Sequence, residues 1–305
     1  VNPPSTDLSL PPTTPTSSAF KPPTTAPSDP RHWQGELELT YIRQKQQTEL
    51  ARRFVKAPMK VQRPFYPEGE VCHTVTLHTA GGIVGGDRLS THLHLHPHAH
   101  ALLTSATAGK IYRSNGLESS QTLRVRLEAG ACLEWLPQEA IAFNGAEFRQ
   151  ETQVELAEDA LWMGWELVRL GRTARGEQFL SGNWRSRTQI WQNGRLLWVD
   201  PQHIQGGSAM LLHPHGLAGC PVMGSLAIVG REVSAELVTQ SRAAWQTRTT
   251  HPETPADVGV TRLMRGMLCR YRGYSTLEAR RWFVAVWNLA RLALCDRPAC
   301  PPRVW

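Results

Sequence analysis

After Trp33 the chain alternates apolar and polar residues. Glu36-Leu37-Glu38-Leu39-Thr40-Tyr41-Ile42 repeats with a period of two, the mark of a strand with one buried face. Leu50 to Val55 reads as a second strand, and Val71, Val75 and Leu77 resume the pattern beyond a Pro-rich loop at Pro64 to Gly69. Thr122 to Glu128, Cys132 to Leu136, Ala140 to Phe143, Phe148 to Leu156 and Leu161 to Leu170 continue it. Arg187 to Trp191, Gly194 to Val199 and Val222 to Val229 complete the series. Short strands at intervals of roughly 8–12 residues, punctuated by Gly and Pro, predict a mainly β fold.

Two stretches have the helical period instead. Ser234 to Arg248 lacks a clean apolar stripe. Ser275 to Leu294 has one, with Ala279, Phe283, Val286, Trp287, Ala290 and Leu294 on one face and Arg280, Asn288 and Arg291 off it. Ser275 and Glu278 have the spacing of a capping box, and prolines from Pro298 onward end the helix. Residues 1–30 are rich in Pro, Ser and Thr with little to bury, so a disordered extension is expected there, followed by a single domain over 31–305.

Composition narrows this picture only a little. The net charge of +7 and pI of 9.3 favour acidic partners. The basic residues are scattered singly, however, and nucleic-acid binding needs a contiguous basic stripe with stacking aromatics. The six cysteines form no CxxC pair, which argues against a structural zinc site and for buried thiols in a reducing compartment. No segment reaches the roughly 18 apolar residues that span a bilayer. A cytoplasmic protein with no membrane contact is expected.

The densest chemistry lies between His78 and Ser114. Two glycine pairs, Gly81-Gly82 and Gly85-Gly86, are closed by Asp87 and predict a tight turn. His92, His94, His96, His98 and His100 then occupy every second position, with Leu93 and Leu95 between the first of them. A regular strand puts all five on one face, either as the polar side of an exposed strand or as ligands for nickel, zinc or copper. Pro97 implies an edge strand or a bend. His213-Pro214-His215 with Cys220 is a second metal candidate, whereas His73 and His78 read as ordinary strand residues. Asp87, Glu166, Glu177 and Asp200 are carboxylates in apolar or Gly-rich surroundings. Each either caps a turn, pairs with an arginine such as Arg88, Arg169 or Arg175, or serves a site.

Familiar catalytic motifs fail. The glycines are followed by a β-like pattern rather than the helix of a dinucleotide site, and Gly109-Lys110 lacks the rest of a phosphate loop. Gly206-Gly207-Ser208-Ala209-Met210 lacks the closing glycine of a nucleophile elbow, and HExxH is absent.

Several blocks, in order, resemble the UreD (UreH) family of urease accessory proteins. They are Gly81 to Ser114 (GGIVGGD…LLTSATAGKIYRS), Glu134 to Glu139 (EWLPQE), Gly171 to Glu177 (GRTARGE), Pro221 to Leu226 (PVMGSL), Gly259 to Leu263, and the tail from Arg297 to Trp305. The likeness runs over roughly residues 35–305. It departs from the family at Gly109, where a hydroxyl is common, and in the richness of the histidine run. The resemblance implies an irregular β-helix-like stack of strands with two α-helices, and a non-enzymatic maturation factor. Such a factor binds apo-urease, recruits UreF and through it the GTPase UreG, and passes nickel transiently along an internal polar route, holding no cofactor tightly. The positions it matches to acidic groups on that route are Asp87, Glu166 and Asp200, with Glu177 as an alternative. The competing reading is a carboxylate-based hydrolase on a β scaffold, which needs two carboxyls facing each other across a cleft at about 5 or 6.5–9.5 Å.

Overall fold

The computed structural model describes residues 32–246 and 255–305. The expected disorder of residues 1–30, and the end of the first predicted helix, lie outside the described residues.

The described chain enters through β1 (Gln34–Gln44), β2 (Gln47–Lys56) and β3 (Met59–Val61). It then winds through β4 (Cys72–His78), β5 (Arg88–Leu95), β6 (His100–Ser105), β7 (Gly109–Ile111), β8 (Ser119–Leu127), β9 (Cys132–Trp135), β10 (Ala140–Ala142), β11 (Glu147–Leu156), β12 (Leu161–Leu170) and β13 (Asn183–Gln192). It closes with β14 (Arg195–Gln205), β15 (Val222–Val229), α1 (Ala235–Gln246), β16 (Asp257–Leu263), β17 (Gly266–Gly273) and α2 (Thr276–Cys295).

Two sheets result. One has the order β14-β13-β11-β8-β5-β1-β2; the other runs β16-β17-β15-β12-β9-β6-β4-β3, with β10 on β12 and β7 on β10. Within the first, β5, β8, β11 and β13 are parallel. Within the second, β4, β6, β9 and β12 are parallel. Because the chain alternates between sheets, each circuit adds one parallel strand to each. This is the solenoid-like stack the resemblance implies, closed by antiparallel strands at its far end.

The alternation in sequence is explained by the layers. Leu37, Leu39, Tyr41, Leu89, Leu93 and Leu95 point into the core between the sheets, and their neighbours face water. β12 has no polar face to spare. Trp162, Val168 and Leu170 enter the inter-sheet core, whereas Leu161, Met163, Trp165 and Leu167 pack beneath the helices. A strand covered on both faces reads as a continuous apolar run.

Both helices form where expected. Ser275 caps α2 by accepting the Glu278 N–H at 3.2 Å. The reciprocal half of the capping box is missing: the Ser275 N–H donates to Tyr271 OH at 3.4 Å instead, and Glu278 Oε2 has no partner. Arg291, expected off the apolar stripe, is fully buried. No helix among the described residues is long and apolar enough to cross a membrane. All six cysteines are free thiols.

Candidate functional site

The strand parity that sends Trp162 and Val168 between the sheets sends Glu166 there too. Glu166, Ser225 and Arg270 share one row across β12, β15 and β17. Facing them, Ser186 on β13 is in register with Gln202 on β14, and Thr188 with Asp200. Ser186 Oγ donates to Glu166 Oε2 at 2.8 Å, bridging the sheets. Arg270 donates to Asp200 Oδ1 and makes a second bridge, while Gln202 donates to Asp200 Oδ2 at 2.8 Å. Glu166 Oε1 is sealed from solvent and has no partner, although the residue as a whole keeps some exposure. Burial pushes the Glu166 carboxyl up to about 7. Ser186 and Arg270 oppose that rise, and the Asp200 charge adds to it.

Polar groups continue from this acid pair along the inner face of the seven-stranded sheet. Register and parity line up Gln202, Ser186, Gln150 and Gln121 in one row, and Asp200, Thr188 and Thr152 in the next. The result is a polar seam running into an otherwise apolar layer.

Asp87 stands apart from the pair. It precedes β5, three strands from β13, and Leu89, two residues on, is the one in the Ser186 row, so Asp87 lies more than roughly 14 Å from Ser186 at ordinary strand spacing. It is fully buried, and its two oxygens accept the N–H groups of Trp33 and Val84, each at 3.0 Å. The glycines beside it form the expected turn: Gly86 has φ 92°, and a Cβ on Gly85 would stand 2.8 Å from Leu117 O. Glu177 is likewise committed. It accepts from the Arg172 guanidinium and from the Asn144 N–H at 3.1 Å, and these contacts hold its carboxyl below the usual range. Arg172 and Arg270 are thus the arginine partners found, in place of Arg88, Arg169 and Arg175.

The histidine run does not form one imidazole face. β5 ends at Leu95, and His98 takes a left-handed conformation with φ 58° in the turn after Pro97. Pro97 marks a bend, and β5 is an interior strand, not an edge. His92, His94 and His96 stay on the outer face of the seven-stranded sheet. His100 opens β6 in the other sheet, where it bonds Glu134 beneath α2. His213 and His215 lie 5.4 Å apart, ring to ring, in an exposed loop, and Cys220 does not join them in a common ligand shell.

The sequence reading missed a buried ionic cluster under α2. Arg291 donates to Glu68 Oε2 at 2.8 Å and to Pro298 O at 2.7 Å, and its Nε lies 3.3 Å from Glu134 Oε1. Glu134 also accepts from the Trp287 indole, and His73 is fully buried with its Nε2 2.7 Å from Glu68. His73 is therefore no ordinary strand residue. The sequence signal for the cluster is faint: an arginine one position beyond a helical stripe and a glutamate inside a strand.

Comparison with known proteins decides what this scaffold is. Residues 34–305 match the family described as UreD urease accessory protein. The UreD of Nostoc punctiforme is 54% identical over 274 residues, covering 90% of this chain and 96% of the relative. The UreD of Acaryochloris marina is 52% identical over 278 residues, and that of Dechloromonas aromatica 39% over 282. The chain belongs to the UreD family of urease accessory proteins.

The UreD-like blocks prove to be joints of the stack. In EWLPQE, Glu134 enters the buried cluster, Pro137 O accepts the Trp165 indole N–H at 2.7 Å, and Glu139 pairs with Arg280 of α2. In GRTARGE, Arg172 and Glu177 clamp the turn after β12. In PVMGSL, Gly224 lets Phe283 of α2 approach: a Cβ there would meet its ring at 3.0 Å. Trp305 in the tail donates to Thr104 Oγ1 at 3.0 Å and packs against Trp165 and Trp287. UreD membership fits a role in urease maturation.

Proposed function

We propose that the protein acts in the cytoplasm as a non-catalytic maturation factor. It binds apo-urease, recruits UreF and through it the GTPase UreG, and passes nickel along the seam between its two sheets. The observation that carries this reading is Glu166, an acid between the sheets that feels the Asp200 charge and has one buried, unpartnered oxygen, Oε1. A carboxyl titrating near neutrality exchanges a proton for a cation at little cost, and metal binding releases ligand protons. The serines, threonines and glutamines along the seam hold a hydrated dication without caging it, so nickel moves on as cargo.

Asp87, tied to two backbone amides, serves this route by fixing the glycine turn. Glu177, bound to Arg172, serves by closing the turn after β12. A hydrolase reading finds less support: Asp200 is bound to Arg270 and Gln202, and the acid pair lies between sheets rather than across an open cleft. The names of the relatives also describe an accessory role.

The test is co-expression of Glu166→Gln and Asp200→Asn variants with UreF, UreG and urease, followed by nickel counting in the purified urease. The variants are expected to co-purify with UreF as the parent does and to yield urease with reduced nickel. Full nickel occupancy in both variants overturns the seam as a route.

A further inference from the structure

The outer face of the seven-stranded sheet carries the first part of the histidine run, where β5 and β8 end. His94 and His96 are two residues apart and project from one side of the chain. Leu95 is in register with Leu127, and the Glu128 N–H donates to Leu95 O at 3.0 Å, so Glu128 arrives beside both imidazoles. Its oxygens divide between them. Oε1 lies 2.7 Å from His94 Nε2, and Oε2 lies 3.7 Å from His96 Nδ1. The two rings are 4.4 Å apart, and one donor atom from each of the three residues lies within 4.8 Å of the others.

We propose that His94, His96 and Glu128 form a surface site for a borderline divalent cation of the nickel, copper and zinc group. Donor atoms bound at about 2.0–2.2 Å around one ion stand about 3–3.5 Å from each other. The two imidazole–carboxylate separations, 2.7 and 3.7 Å, bracket that range, and the donors of the two histidines lie within 4.8 Å of each other, so a bound ion asks only for small side-chain adjustments. Two imidazoles select these metals over calcium or magnesium, which prefer all-oxygen shells. The three side chains are 26% to 40% exposed, so water completes the coordination and the ion exchanges freely. Arg126 lies in register with His94, and Glu155 in register with Arg126, so the ion is held by coordination rather than by a net acidic field.

Two other ligand-like groups serve metal less well. In His100–Cys132–Glu134 the carboxylate is already bound to Trp287 and Arg291. In Glu68–His73–Cys300 it is bound to Arg291. The guanidinium supplies there the charge that a dication would bring. The surface site faces away from Glu166, on the opposite side of the sheet, and does not depend on the seam carrying nickel.

The test is equilibrium dialysis of the full chain against nickel chloride, and separately zinc chloride, near neutral pH. The His94→Gln/His96→Gln double variant is expected to bind one ion fewer than the parent. Glu128→Gln should weaken that ion by about tenfold or more. Glu166→Gln should retain it. Nickel X-ray absorption on the parent should show imidazole scattering, a readout that needs no variant. Equal ion counts in parent and double variant, or a nickel spectrum without imidazole, overturn the site.

Discussion

Glu166 and Arg291 show how two ionisable residues withdrawn from solvent meet opposite fates. Glu166 lacks a full set of partners, so burial raises it to about 7 from an ordinary 4.5. The native state therefore binds a proton that the unfolded chain has lost between these values. Stability falls as pH rises through that window and stays lower above it. Glu166→Gln removes this slope. Relative to the parent, its stability is expected to improve by up to about 3 kcal/mol between pH 4 and pH 8. Urea melts at the two pH values measure this, and a difference independent of pH would mean a hydrated carboxylate. Arg291 is the contrary case. Burial alone would lower its pKa, but Glu134 and Glu68 more than compensate and keep it charged. Arg291→Met leaves the fully buried Glu134 without its cation and the half-buried Glu68 with only His73, a loss of about 3–5 kcal/mol in thermal or denaturant unfolding.

At the scale of elements, local signals and tertiary contacts divide the work. The α2 cap was legible because Ser275 needs only the amide three residues on. The second half of the box failed because Tyr271 OH, supplied by β17, takes the Ser275 N–H. Ser275→Ala is therefore expected to cost about 1 kcal/mol, from one lost cap bond, and circular dichroism melts would register it. The glycine turn is more demanding. Its Asp87 accepts two backbone amides in a fully buried place, so Asp87→Ala strands both donors and should cost about 1–3 kcal/mol or more. A stability unchanged by that substitution would show that water replaces the carboxylate. The histidine run illustrates the limit of periodicity. A period of two continues through Pro97 on paper, but the strand stops at Leu95 because the chain must cross to the other sheet.

Across the whole molecule, coverage of the strands predicts where opening is hardest. β12 lies between β9 and β15, with a sheet on one face and helices on the other, whereas β2 and β14 are edges. Amide exchange should be slowest in β12 and β15 and fastest in β2 and β14. Uniform protection across the two sheets would contradict this layering. The sequence by itself determined the mainly β character, both helices, the glycine turn and the family, because these rest on local periodicity, backbone geometry and collinear motifs. It also marked Glu166 and Asp200 as acids in unusual surroundings. Only the tertiary structure decided that those two face each other across the seam while Asp87 is a turn pin. It alone split the histidines between two sheets and placed Arg291 in the core. The reason is that burial and partnership of a charge depend on residues far apart along the chain, such as Ser186 for Glu166 and Glu68 for Arg291, and no local pattern encodes those meetings.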